Sequence, residues 1–421
     1  MQNRSPAVGF ILITLLLDVL GFGLLIPVGP ILIKSLLASE GGATDERAAA
    51  IVGGLAAMYA AMQFLFGPLL GALSDRFGRR PVLLLALFGS GLDYFAMALA
   101  PTLWFFFITR AINGISGASM SVCNAYIADI TPPEKRAAAF GMVGAVFGIG
   151  FVLGPLAGGL LGGIDVRLPF YVAGGVTLIN WLYGLIVLPE SLPKELRTRF
   201  HLSRANPVGA VKNLAKYPLV AGLSVSFFFL QMAMFGLHAT WVLYTTHRYQ
   251  WTSFQVGLSL ALVGIGAAVV QGGLARKLIP ALGEARSVLI GIAIGAAAYV
   301  AYGASTEGWM IYASIAVASL GGIAQPAAMA IITKTVRPDE QGTMQGAMVP
   351  LQSAAQIIGP ILGAGAFAFF ISDLAPVQIP GASFYLSAIF AVIGLVIAAY
   401  VLARFTPTVT RSPEDAEPPT R

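Results

Sequence analysis

Charge is scarce in this chain. Only 10% of its 421 residues are Asp, Glu, Lys or Arg, against 57% hydrophobic residues. Soluble domains carry about 25% charged residues, so a water-soluble globule is excluded. Cysteine is almost missing: Cys123 stands alone, which rules out a disulfide framework and leaves that thiol as a packing residue. Three histidines, none at metal-ligand spacing, give no metal site. No phosphate-binding glycine loop or nucleotide motif occurs, so no cofactor is expected and nothing reads as an enzyme. Energy for any work must then come from an ion gradient rather than ATP. The net charge of +6 does not point to nucleic acid, because the basic residues lie in short stretches between apolar runs.

Apolar runs are what the chain has in plenty. A membrane-spanning helix needs about 20 apolar residues. Spans are expected at 7–33, 51–74, 81–100, 103–128, 136–163, 168–188, 217–245, 254–277, 286–304, 308–333, 342–371 and 381–403. The expected fold class is therefore all-α membrane protein with twelve helices. The first run is too long for a signal-peptide core and is retained as a helix. Of the 25 Lys and Arg residues, only Lys34, Arg47, Arg110, Arg167 and Arg248 fall outside the termini and the even-numbered loops. That asymmetry places both termini in the cytoplasm. The 49 glycines suit close helix approach in lipid.

The chain divides at its midpoint. Residues 1–188 form one six-helix half and 217–405 the other, with a basic cytoplasmic linker at 189–216 and a disordered cytoplasmic tail at 406–421. An offset of 205 positions superimposes Pro133 on Pro338, Gly141 on Gly346, Gly154 on Gly359, Pro155 on Pro360 and Gly158 on Gly363. It also maps Trp104 on Trp309, Gly117 on Gly322 and Gly78 on Gly283. Two parallel repeats are a transporter architecture.

The stretch Gly71–Leu84 is the one strongly charged run among the early spans. Asp75, Arg76, Arg79 and Arg80 lie beside Gly71 and Gly78, a composition for a tight turn between two membrane helices rather than for hydrocarbon. Asp75 is expected to face a helix N-terminus, near Gly342 at the start of span 11, and to latch the halves together. Arg76 is expected to meet Asp129 at the end of span 4. The plainer reading is a positive-inside loop with no further role.

Ionisable groups inside a bilayer are costly and usually functional. Asp18, Asp93, Arg110 and His238 lie well inside spans. A carboxylate in a low-dielectric span can bind and release a proton near neutral pH. Arg110 stays charged and is expected to pair with one of the two carboxylates. Asp18 is the preferred proton carrier, because Gly21, Gly23 and Pro27 make span 1 flexible; helix–helix hydrogen bonding is the alternative role for either Asp. Gln63, Asn113, Gln231, His238, Gln325 and Gln352 are candidates to meet a substrate, while Asn124, Gln271 and Gln356 have the same mid-span character. A lone His in an apolar span is more often a hydrogen-bonded packing residue, which is the favoured reading of His238. In span 5, Gly150, Gly154, Pro155, Gly158 and Gly159 flatten one face and bend the helix.

The motif at 71–80 resembles the loop 2–3 signature of the major facilitator superfamily, and span 5 resembles that superfamily's antiporter signature. Together with LDVLGFGLLIPVGP, LDYFAMA, TRAINGISGAS and AYIADIT, these stretches are similar to the tetracycline-resistance exporters. The resemblance is closest over spans 1–5. It implies two six-helix halves, a drug:proton antiporter, and transport roles for Asp18, Asp93, Arg110 and the 71–80 loop, with Gln63 facing the drug. Tetracycline exporters carry a His in helix 8 and an Asp in helix 9; here those positions read Ala267 and Gly295. Tetracycline itself is accordingly expected to be exported weakly or not at all. The expected protein is a monomeric exporter of a small amphipathic or hydrophobic compound in a bacterial inner membrane, held by the lipid bilayer. An importer of a sugar or other metabolite, or a non-transporting receptor, are the alternatives on the same fold.

Overall fold

The computed structural model of the chain describes residues 8–42, 44–117, 120–132, 135–197, 216–337 and 341–405. Every expected span carries helix among them. α1 is Val8–Leu25 with a bent continuation, Gly29–Ser39. α2 is Asp45–Phe77, α3 Arg79–Ala98, and α4 Leu103–Gly117 with Met120–Ile130. α5 is Arg136–Gly162 and α6 Leu168–Val187. The later helices are α7 Pro218–Tyr249, α8 Ser253–Leu282, α9 Glu284–Ala304, α10 Gly308–Thr335, α11 Gln341–Ile371 and α12 Ala382–Phe405. Ten described helices are long and apolar enough to cross a membrane, and the bent α1 pair makes an eleventh. The tail at 406–421, most of the expected linker (198–215) and the Pro133 and Pro338 pair lie outside the described residues.

Local chemistry explains where the helices depart from the sequence reading. α1 was expected as one span over 7–33 that Pro27 can kink, and it stops at Leu25 and restarts at Gly29 with a 43° bend. Pro27 lacks the donor that would continue the turn, and Pro30 sits in the first turn of the new segment, where a missing N–H costs nothing. α2 overshoots its expected 51–74. Thr44 caps it by accepting from the Arg47 N–H at 3.3 Å, and its 33 residues extend about 50 Å, beyond the hydrocarbon. α8 passes through a π-helical turn at Val270–Leu274 and α10 through a 3-10 turn at Leu320–Ile323; each contains two adjacent glycines. Gly78 alone separates α2 from α3, with φ +105°, and Gly283 alone separates α8 from α9, with φ +83°. Both values lie where a Cβ is strained, so the repeat at offset 205 extends to backbone conformation.

Packing repeats in the same way. α1 packs on α5 and α6, α3 on α6 and α4, and α2 on α4; later, α7 packs on α11 and α12, and α9 on α12 and α10. Across the midpoint, α2 meets α11 and α5 meets α8. These cross-contacts lie away from the 71–80 loop. A Cβ on Gly53 of α2 would strike the Pro360 carbonyl oxygen at 2.8 Å, and one on Gly257 of α8 would lie 3.2 Å from Gly159 Cα of α5. Nearer the 71–80 loop, Gly67, Gly71, Gly141, Gly144, Gly148, Gly272 and Gly273 face open space.

The buried apolar clusters tell the same story. One cluster joins helices from both sides at the far end, including Leu32, Val52, Phe170, Tyr244, Phe367 and Phe384. Toward the 71–80 loop the clusters are separate, one around Leu15, Leu83, Tyr126 and Ile127 in the first half, and one around Val220, Val288, Ile331 and Val401 with a smaller one of Val270, Ala275 and Ile323 in the second. The bundle is therefore closed at the far end and parted at the end carrying the 71–80 loop.

Charge reinforces the closed end. Asp45 at the start of α2 forms ion pairs with Lys34 of α1's continuation and with His247 Nδ1 of α7, the latter at 2.6 Å. The His247 ring stands edge-on to Phe367 of α11, with centroids 6.0 Å apart. Asp45→Asn removes the carboxylate that Lys34 and His247 share. We predict faster alkylation by a membrane-impermeant maleimide at a cysteine replacing Val52, in a Cys123→Ser background. A several-fold rise is expected; an unchanged rate means that packing alone closes this end.

Candidate transport site

Helices α1 to α4 each bring polar side chains to the interior of the first six helices. Asp18 lies on α1, Tyr59 and Gln63 on α2, Asp93 and Tyr94 on α3, and Arg110 and Asn113 on α4. The Arg110 guanidinium sits over the Tyr59 ring, 5.1 Å from its centroid. Gln63 Nε2 donates to the Tyr59 hydroxyl at 3.0 Å. The charge of Arg110 and the amide of Asn113 both act on Asp93. Asp93 is buried, and its Oδ2 has no hydrogen-bond partner. The Tyr59 and Tyr94 phenols feel both carboxylates and Arg110. The expected pairing of Arg110 thus falls to Asp93, as an electrostatic neighbour rather than a direct ion pair. Asp18 has burial as its only resolved influence.

The α5 glycines serve two neighbours. Gly150, Gly154 and Gly158 meet Val19, Gly23 and Leu24 of α1, while Gly159 meets Ser253 and Gly257 of α8. A Cβ on Gly154 would lie 2.7 Å from Gly23 Cα, so this row fixes how closely α1, and Asp18 with it, approaches α5. Pro155 presents its carbonyl to Gly257. The motif therefore connects the Asp18 helix to the contact across the midpoint.

At the parted end, the 71–80 loop is held by its own half. Arg79 pairs with Asp75 at 2.5 Å and, through Nε, with Asp129 at 3.1 Å. Its Nη1 donates to Ser74 Oγ at 2.6 Å. The Glu190 carboxylate accepts from the backbone N–H groups of Arg79 at 2.8 Å, Ser191 at 3.1 Å and Leu192 at 3.1 Å. Ser191 Oγ donates to Asp129 at 3.1 Å, and Arg80 donates to the Leu185 carbonyl at 2.6 Å. Arg79, and not Arg76, is thus the partner of Asp129. Arg79 opens α3 and is largely buried, whereas Arg76 ends α2 over the Phe77 ring at 5.1 Å. Asp75 pairs one turn along with Arg79 rather than across to α11. Glu190, Ser74 and Tyr126 escaped the sequence reading; Tyr126 donates to the Pro189 carbonyl at 2.8 Å.

The other candidates separate into groups. Gln231, Gln325 and Gln352 line one recess of about 100 Å³ in the second half, with Phe227, Phe228 and Met348. Gln63 and Asn113 belong to the α1–α4 cluster instead. His238 lies outside the recess, exposed on α7 with its ring edge-on to Phe235 at 6.2 Å. Two helical turns separate it from Gln231, so both share a face.

The profile of the Major Facilitator Superfamily matches residues 11–360, with a second match over 277–421. The chain belongs to the Major Facilitator Superfamily. Members are transporters and not enzymes, and this one is a multi-pass membrane protein. Among curated relatives, tetracycline resistance protein class C of Escherichia coli is 40% identical, covering 86% of this chain and 89% of its own. Tetracycline resistance protein class H of Pasteurella multocida is 35% identical, covering 88% and 90%. A solved structure, the human organic anion transporter MFSD10 (TETRAN), superposes with a TM-score of 0.68 at 25% identity, covering 94% of this chain and 100% of its own.

Within this superfamily fold, the two positions where a His and an Asp were looked for are left without a substitute. Ala267 is half-buried on α8, and a Cβ built on Gly295 of α9 meets nothing within 4 Å. Tyr59 and Tyr94 are the functional-cluster residues that sequence reading missed. Tyr59 stands one turn before Gln63 and Tyr94 directly follows Asp93, which is the available signal. For the loop network, Arg79→Ala leaves Asp129 with only the Ser191 hydroxyl as donor and takes from the buried Ser74 hydroxyl the guanidinium that donates to it. Discounted for the exposure of Asp75, the loss is about 2 kcal/mol. A lowered Tm of the purified protein, partly restored by adding Asp129→Asn, checks this; an unchanged Tm contradicts it.

Proposed function

We propose that the protein is a proton-coupled antiporter that exports an amphipathic or hydrophobic organic compound. The observation that carries this reading is the interior cluster of Asp18, Asp93 and Arg110. A lipid-embedded bundle tolerates such groups only where they have a task or a partner. Arg110 and Asn113 address Asp93, which leaves Asp18 as the carboxylate to exchange a proton. The α5 glycines couple the Asp18 helix to α8 of the other half, so protonation and the movement of the halves share one contact. In this reading residues 1–188 and 217–405 are the moving halves, and 189–216 is the linker. The relatives named for tetracycline resistance support drug export as the class of work.

The basic residues of the even-numbered loops put the 71–80 loop and both termini in the cytoplasm of a bacterial inner membrane. The parted end then opens to the cytoplasm, the side from which an exporter loads. Protons would enter from the far side and leave toward the cytoplasm as substrate moves outward. A monomer contains every group this cycle uses.

Inverted membrane vesicles test the direction. The dansyl fluorophore is offered in three forms, as its neutral amide, its trimethylammonium derivative and its glycine carboxylate. With an acid lumen, at least one form should accumulate, and collapsing the gradient with nigericin should release it. Asp18→Asn should abolish gradient-driven accumulation and keep counterflow exchange, because exchange needs no net proton release. No accumulation of any form, or accumulation only with an alkaline lumen as for an importer, contradicts the reading.

A further inference from the structure

The recess in the second half has a distinctive chemistry. Gln231 of α7, Gln325 of α10 and Gln352 of α11 converge on it from three helices. Their carboxamides make no hydrogen bond within the described structure. Gln63, by contrast, donates to Tyr59, Gln250 to a carbonyl, and Gln255 closes a helix cap. The three amides thus present unused donors and acceptors to one space. Every other lining side chain is uncharged, and the aromatic and thioether groups of Phe227, Phe228 and Met348 complete the wall. The recess faces the parted end of the bundle, since its residues pack with the second half's own cluster of Val220, Leu223, Ala328 and Ile332.

We infer that this recess selects the substrate, and that its space of about 100 Å³ seats the uncharged polar end of an aromatic amphipath, a group carrying both hydrogen-bond donors and acceptors, while the rest of the molecule extends toward the parted end. The inference rests on the exporter reading and names its substrate class. Each carboxamide offers two N–H donors and a carbonyl acceptor, so three of them reward amide, phenol or paired hydroxyl and carbonyl groups. The phenylalanine faces and methionine sulfur suit a flat ring. A cation entering here loses its water and meets no anion, a cost that neutral dipoles do not offset. An anion meets no cation and is disfavoured for the same reason. The carboxylates Asp18 and Asp93 lie in the other half, on α1 and α3, where Arg110 shares their space.

Equilibrium fluorescence titration of the purified full chain in lipid nanodiscs tests this directly. Dansyl amide should bind roughly tenfold tighter than dansyl trimethylammonium or dansylglycine. Gln231→Leu and Gln325→Leu, which keep side-chain size, should each weaken dansyl amide about threefold to tenfold, as expected for one lost amide hydrogen bond. Gln352→Glu should reverse the preference by strengthening the trimethylammonium probe, a gain that misfolding cannot produce. Absence of dansyl amide binding, equal or tighter binding of the charged probes, or unchanged affinity in the leucine variants overturns the inference. The vesicle experiment fails separately: a cationic probe driven by an acid lumen would leave the exporter reading standing and sink this one. Selective binding of the amide without gradient-driven uptake would do the reverse.

Discussion

Two carboxylates and a guanidinium share the interior of α1–α4, and hydrocarbon can solvate none of them. The arrangement around them answers that constraint. Arg110 spreads its charge over the face of Tyr59 and acts on Asp93, whose remaining neighbour is the Asn113 amide. Tyr94 closes over the same space beside Gly21. Asp18 is left on the helix that the α5 glycines hold closest. A group in that position can change charge without stripping Arg110 of its counter-ion. That difference separates the two aspartates, which composition alone makes look equivalent.

The rest of the bundle follows from how tightly helices approach at one end. Where Gly23 meets Gly154, Gly53 meets Pro360, and Gly159 meets Gly257, backbones touch and dispersion contacts replace the hydrophobic effect that lipid cannot supply. The Asp45 ion pairs lock the same end. At the other end the glycines of α2, α5 and α8 face open space, and the shared apolar cluster gives way to separate clusters within each half. The loop network around Arg79 and Glu190 stays within the first six helices and, among the described residues, makes no bond to the second six.

Much of this was legible in the residues. Hydropathy marked the spans because lipid demands about 20 apolar residues each, and the offset of 205 marked the repeat down to the positive φ of Gly78 and Gly283. The four ionisable mid-span residues stood out for the same reason. What sequence hid was convergence between distant helices. Nothing local says that Gln231, Gln325 and Gln352 share one recess while Gln63 turns to Tyr59, or that Asp129 meets Arg79 rather than Arg76. Glu190 read as a loop residue because its value lies in three backbone donors, a feature without a sequence signature. The break in α1 was foreshadowed by Pro27 and Pro30, yet the run around them is apolar enough to read as continuous.

The account turns on Asp18 being the group that takes up and releases the transported proton. Pre-steady-state charge movement after a pH step, recorded from proteoliposomes on a solid-supported membrane without substrate, reads that event alone. Wild-type protein and Asp93→Asn, compared at equal amounts of folded protein, should both show a transient current. Asp18→Asn should show none. A full-sized transient in Asp18→Asn, with its loss in Asp93→Asn, would contradict the account.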